Sequence, residues 1–106
     1  MRCRILQTRA VDDLNDIHGY LSDKQSVPQA DLVLSAIDQA ITHLCEFPFS
    51  GALFPARNRQ LEGIRFWTVR DYPRYVVYYL FNDEVLKVLR VVHGSMKISK
   101  LLRDLN

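Results

Sequence analysis

The stretch from Arg74 to Gly94 reads RYVVYYLFNDEVLKVLRVVHG. Val76, Val77, Tyr78, Tyr79 and Phe81 precede the pair Asn82-Asp83, and Val85, Val88, Val91 and Val92 follow it. β-Branched and aromatic residues fit a pleated surface buried on at least one face, and Asn-Asp is a turn pair that tolerates positive φ. The pattern predicts a β-hairpin in the middle of a sheet. Strands this apolar need a layer to lie against, and the only upstream segments long enough to provide one have helical periodicity.

Those segments lie between Thr8 and Phe47. Ala10, Leu14, Ile17 and Leu21 recur at helical spacing, with Thr8 as the expected N-cap and Asp12 and Asp13 placed to meet the positive end of the helix dipole. Gly19 inside this pattern costs about 1 kcal/mol relative to Ala and hints at close packing there. Pro28 suits the first turn of a second helix, where a missing N–H does no harm. Val33, Ile37, Ala40, Ile41 and Leu44 form its apolar stripe, which Pro48 ends. A short link implies an antiparallel helical hairpin. His18 and His43 have no metal-like or catalytic companion at sequence spacing, so surface or packing roles are expected for both.

Outside this block, residues 2–7 suit a short first strand and Ile64 to Val69 alternates as a strand should. Between them and the helices, Phe47 to Gly63 is a loop rich in Pro and Gly that also holds Arg57 and Arg59. At the end of the chain Ile98, Leu101, Leu102 and Leu105 recur at helical spacing, the signature of a short amphipathic tail helix. The expected order is β-α-α-β-β-β-α, an α+β fold with a helical hairpin packed on a small, mainly antiparallel sheet.

With 106 residues, the chain is expected to form one domain over 1–106. No apolar run approaches the ~20 residues that span a bilayer, and Met1 to Ala10 lacks the form of a signal peptide. A cytoplasmic protein without membrane association is expected. Cys3 and Cys45 have no companion at metal spacing, so both read as small buried hydrophobes in preference to a disulfide, and no metal or cofactor is expected. Charge is polarised. Two cations face seven carboxylates between Thr8 and Glu46, whereas ten cations face five carboxylates from Arg57 onward. The basic half offers a surface to an acidic partner or to nucleic acid, or is simply solvated.

No phosphate loop, dinucleotide fingerprint, HExxH or GxSxG occurs. What remains is a cluster of Arg with one His. Arg90 interrupts the face of Leu86, Val88 and Val92, His93 ends the same strand, and antiparallel pairing brings Arg74 toward His93. Arg74, Arg90 and His93 are therefore the candidate catalytic residues of a metal-free RNA-cleaving site, in which Arg binds a phosphodiester and an imidazole moves its proton. An equally physical reading pairs Arg90 with a carboxylate of the helices and lets His93 cap a strand end.

The chain resembles the ParE/RelE toxins of bacterial type II toxin–antitoxin pairs. The resemblance is carried by Ala10, Asp13, Leu14, Ile17 and Tyr20, by Ala40, Ile41, Leu44, Pro48 and Gly51, by Arg74 to Tyr79, and by Arg90-Val91-Val92-His93-Gly94. It implies a small toxin neutralised by a cognate, ParD-like antitoxin. RelE-like members are ribosome-dependent mRNA endonucleases that typically carry Tyr or Arg after the last strand, where this chain has His93-Gly94-Ser95-Met96. Members of the ParE-like branch end in His-Gly and poison DNA gyrase. The resemblance therefore points first to gyrase inhibition, which is not catalysis, with ribosome-bound mRNA as the alternative target of an enzyme.

Overall fold

The computed structural model describes residues 2–55 and 62–94. The first strand, β1 (Cys3–Leu6), leads into helices α1 (Thr8–Lys24) and α2 (Val27–Glu46), then a 3₁₀ turn at Pro48–Ser50. Strands β2 (Ala52–Leu53), β3 (Arg65–Val69), β4 (Tyr72–Phe81) and β5 (Val85–His93) follow. Their order in the sheet is β1-β5-β4-β3-β2, with β4 in the centre. Among the described strands, only the β1–β5 pair is parallel. The α+β architecture and the central hairpin are as expected, while the two-residue strand β2 is an addition. The expected tail helix lies outside the described residues, as do Arg57 and Arg59.

The α2 stripe of Val33, Ile37, Ala40, Ile41 and Leu44 is buried as the periodicity predicts. With Ala10 and Leu21 of α1 it packs on Val77 and Tyr79 of β4 and on Leu86, Val88 and Val91 of β5. A second apolar cluster, Ile64, Val76, Tyr78, Leu89 and Val92, forms from the residue before β3 and from residues of β4 and β5 outside the helix-side core. The sheet thus buries side chains on both faces. His18 joins the two helices by bonding Asp31 through Nε2 at 2.8 Å, and His43 stacks on Trp67 with ring centroids 5.4 Å apart. Arg4 reaches across from β1 to Asp38 and Thr42 of α2.

Several local expectations are corrected. Thr8 is the first helical residue and not the cap; Gln7 takes the cap position, because its N–H still belongs to the strand ladder and donates to Val88 O at 3.0 Å. Asp12 and Asp13 therefore fall beyond the first turn. Gly19 has open space around it, so close packing does not explain it. The hairpin turn needs no positive φ, since Asn82 Oδ1 accepts from the N–H groups of Glu84 and Val85 at 2.9 and 2.8 Å and closes the turn with a side chain. Cys45 is buried, and burial pushes its thiol pKa up. Cys3 is exposed on β1, an edge strand of the sheet.

The strand β5 also departs from simple alternation. Tyr78 lies opposite Arg90 and Tyr79 opposite Val88, so Leu89 is an extra residue in a β-bulge. That insertion separates Leu86 and Val88, in the helix-side core, from Val92, in the second cluster. The single face expected for Leu86, Val88 and Val92 does not form.

On the other side of the bulge, Tyr79 anchors the loop after α2. Its Oη donates to Pro48 O at 2.6 Å and accepts from Gly51 N at 3.0 Å. A Cβ at Gly51 would lie 2.4 Å from that oxygen and 2.7 Å from Phe66 O. Gly51→Ala is therefore expected to lower unfolding stability by about 1–3 kcal/mol. Tyr79→Phe should cost a similar ~1–3 kcal/mol by leaving a buried donor and acceptor unmatched. Urea denaturation measures both. Burial also pushes the phenols of Tyr78 and Tyr79 above their ordinary pKa, although for Tyr79 the Gly51 N–H and Arg65 oppose it. Both rings are neutral in either state below about pH 10, and above it the unfolded chain ionises first. Tm is thus expected to fall as pH rises through that range, by less in Tyr78→Phe.

Candidate functional site

The three candidate residues line one groove. Its volume is about 610 Å³, and it runs between α1 and the ends of β4 and β5. Asp13, Asp16, Ile17 and Tyr20 form the helical wall, and Arg74, Tyr75, Arg90, Val91 and His93 the sheet wall. Register explains why Arg74 and His93 meet here. Tyr75 pairs with His93, and Gly94 N donates to Arg74 O at 2.6 Å. The rings of Tyr75 and His93 meet edge to face, with centroids 5.9 Å apart. Burial, and next the Tyr20 phenol, push the Tyr75 pKa up, while Arg74 opposes them.

Arg90 is held differently. Its Nε donates to Asp13 Oδ2 and its Nη2 to Asp13 Oδ1, both at 2.8 Å, in a bidentate pair whose side chains are only 8% and 11% exposed. Asp13 Oδ2 also accepts from Val91 N at 3.0 Å. One carboxylate thus joins α1 to both the side chain and the backbone of β5. Of the two readings of Arg90, pairing with a helical Asp is the one observed. Arg74 is exposed and His93 half-buried.

The sequence offered a helical carboxylate for Arg90 without singling out Asp13, and it gave no sign of Asp16 beside it. Asp13 was expected at the helix dipole, and its separation of 77 positions from Arg90 leaves no local pattern from which to read the pair. Asp16 and Tyr20 enter the groove at helical spacing from Asp13, a signal available only once Asp13 is known to face the sheet. Among the described residues no group of three His, Cys, Asp or Glu side chains is placed to hold a metal ion. The groove offers cations on one wall, carboxylates on the other and aromatic rings between. Such a surface suits a peptide carrying apolar and charged groups better than a uniformly anionic polymer.

Two helices on a five-stranded mixed sheet, with a charged groove between α1 and the strand ends, define the fold and the site that comparison with known proteins identifies. Residues 5–98 match the family model described as the ParE toxin of the type II toxin–antitoxin system parDE. The chain belongs to that family. Its fold is similar to a chain of the solved chromosomal ParDE toxin–antitoxin system from P. aeruginosa, with a TM-score of 0.71. That likeness covers 88% of this chain and 96% of the other at 17% identity. Comparison with curated proteins found no match.

The Asp13–Arg90 pair generates a stability prediction. Asp13→Ala leaves a buried guanidinium without its carboxylate and should cost about 3–5 kcal/mol. Replacing both residues with apolar ones, as in Asp13→Leu/Arg90→Met, should cost less than that single change. A double-mutant cycle followed by denaturant unfolding reads the difference, and additive losses would count against coupling.

Proposed function

We propose that this single toxin domain inhibits DNA gyrase and is neutralised by a cognate, ParD-like antitoxin in the cytoplasm. Family membership supports the toxin class. The choice of target rests on the engagement of Arg90: its charge is met by Asp13, and Asp13 and Asp16 face Arg74 across the groove. A phosphodiester entering there would meet carboxylates at the point where a cleavage site requires excess positive charge. A protein partner can satisfy both signs at once. No described helix is long and apolar enough to cross a membrane.

A specific observation favours the second reading, ribosome-dependent mRNA cleavage: Arg74 and His93 do lie at the same strand end. The two readings part on one variant. Arg74→Ala/His93→Gln removes the phosphate-binding and proton-moving groups of a nuclease but leaves the buried pair of Arg90 intact. Under gyrase inhibition the purified variant still blocks supercoiling, and ribosome-bound mRNA stays intact with the wild-type protein. A fall in mRNA cleavage of roughly 10²-fold or more, with supercoiling untouched by the wild type, would establish the nuclease instead.

A further inference from the structure

At the end of β4 away from the groove, the described surface carries a second arrangement of side chains. Phe47, Phe49 and Leu53 are 57%, 71% and 57% exposed within seven residues of one another. Isolated exposed apolar residues are ordinary; three on one pinned loop are not. The pinning is the bond of Tyr79 Oη to Pro48 and Gly51, which brackets Phe49 on both sides.

Beside Phe49, two guanidinium groups and two rings alternate. Arg65 lies over the rings of Phe49 and Phe81, at 5.0 and 5.9 Å from their centroids. Arg2 lies over Phe81 at 5.4 Å, and the two rings meet edge to face at 5.0 Å. Arg65 is further fixed by donating to Gly51 O at 2.7 Å, and Arg2 by donating to Asn82 O. Neither Arg forms an ion pair among the described residues. The result is a knob with apolar tips and two cations that no carboxylate pairs among the described residues. Aromatic rings and Arg held in advance of binding are the chemistry of interface hot spots.

We propose that this knob is the surface by which the toxin grips its target protein, seating Phe49 and Leu53 in an apolar pocket with an acidic rim. The assignment of that target as gyrase rests on the function proposed above. Charge complementarity supplies the acidic rim. Two cations beside three apolar tips suit a protein pocket better than a nucleic-acid backbone, which requires a run of cations along its track. A second copy of the chain is disfavoured by geometry. The β2 edge is two residues long, too short to pair edge to edge, and insertion of the knob into the groove at the far end of β4 is a head-to-tail contact, which runs on into a ring or a filament.

The test compares full-length wild type with Phe49→Ser/Leu53→Ser, using purified gyrase, growth arrest on expression and copurification with the cognate antitoxin. The expected result is at least a tenfold rise in the toxin needed to halve supercoiling, with loss of growth arrest and unchanged antitoxin binding and Tm. Unchanged inhibition and arrest overturn the proposal. Lost antitoxin binding with arrest retained also overturns it, by giving the knob to the antitoxin. Wild-type binding to DNA alone that the double variant loses would assign the knob to nucleic acid. Should the Ser variant lower Tm, Phe47→Lys/Leu53→Lys leaves Phe49 packed between its neighbours and is read the same way. If the wild type arrests growth without touching gyrase, the choice of target fails, and the knob is judged on growth arrest by the double variant.

Discussion

The carboxylate of Asp13 ties the first helix to the sheet where the outer edge of β5 runs past its partner strand. β1 pairs only with Val85 to Val88, and the chain then turns away through Gln7 into α1. Beyond that point the outer edge of β5 presents backbone groups with no described strand beside them. Edges of this kind are normally paired, covered or charged. Here the first helix covers the edge, and Asp13 accepts from Val91 N while gripping Arg90 in a fork. Desolvating the two ions is costly, and the attraction between them repays it only with good geometry and satisfied lone pairs. The bidentate fork and the backbone donor meet that condition. The helix that forms one wall of the groove is thereby fixed against the strand that forms the other.

Elements with a strong period were legible before any coordinates. The α2 stripe and the β4–β5 hairpin each repeat one spacing over many residues, and burial follows that spacing directly. Arg74 and His93 could be placed at one strand end because a hairpin fixes register from its turn outward. What could not be read depends on single residues. Leu89 changes which face Val92 occupies, and nothing in LKVLRVV marks it as a bulge. The start of α1 was misplaced by one residue because the competing claim on Gln7 comes from Val88, far along the chain. Half of the groove was invisible for the same reason, since α1 supplies it only through tertiary contact.

The same distinction applies to Gly51 and Tyr79. Gly51 read as one of several loop breakers, but its neighbourhood shows a different constraint: backbone and phenol come too close for any side chain. Tyr79 read as one more strand aromatic. Its hydroxyl in fact fixes the loop that carries Phe49, and the ring stands in the central strand between the two helices' core and that loop. A substitution here would act on the exposed knob through the core.

The central strand therefore does more than fill the middle of a sheet. Arg74 and Phe81 are seven residues apart on β4, about 23 Å at strand rise, and the groove and the knob sit at these two ends. A close-packed sheet transmits position without much give, so the distance between the two surfaces is nearly constant. A compact antitoxin seated in the groove would leave the knob exposed. Blocking both ends calls for a partner of extended form, which can follow the molecule from Arg74 to Phe81 and exclude a target from the far end by its own bulk. Under the function proposed here, neutralisation is then a matter of length as much as affinity, because a short segment that bound the groove tightly would still leave the gripping surface uncovered.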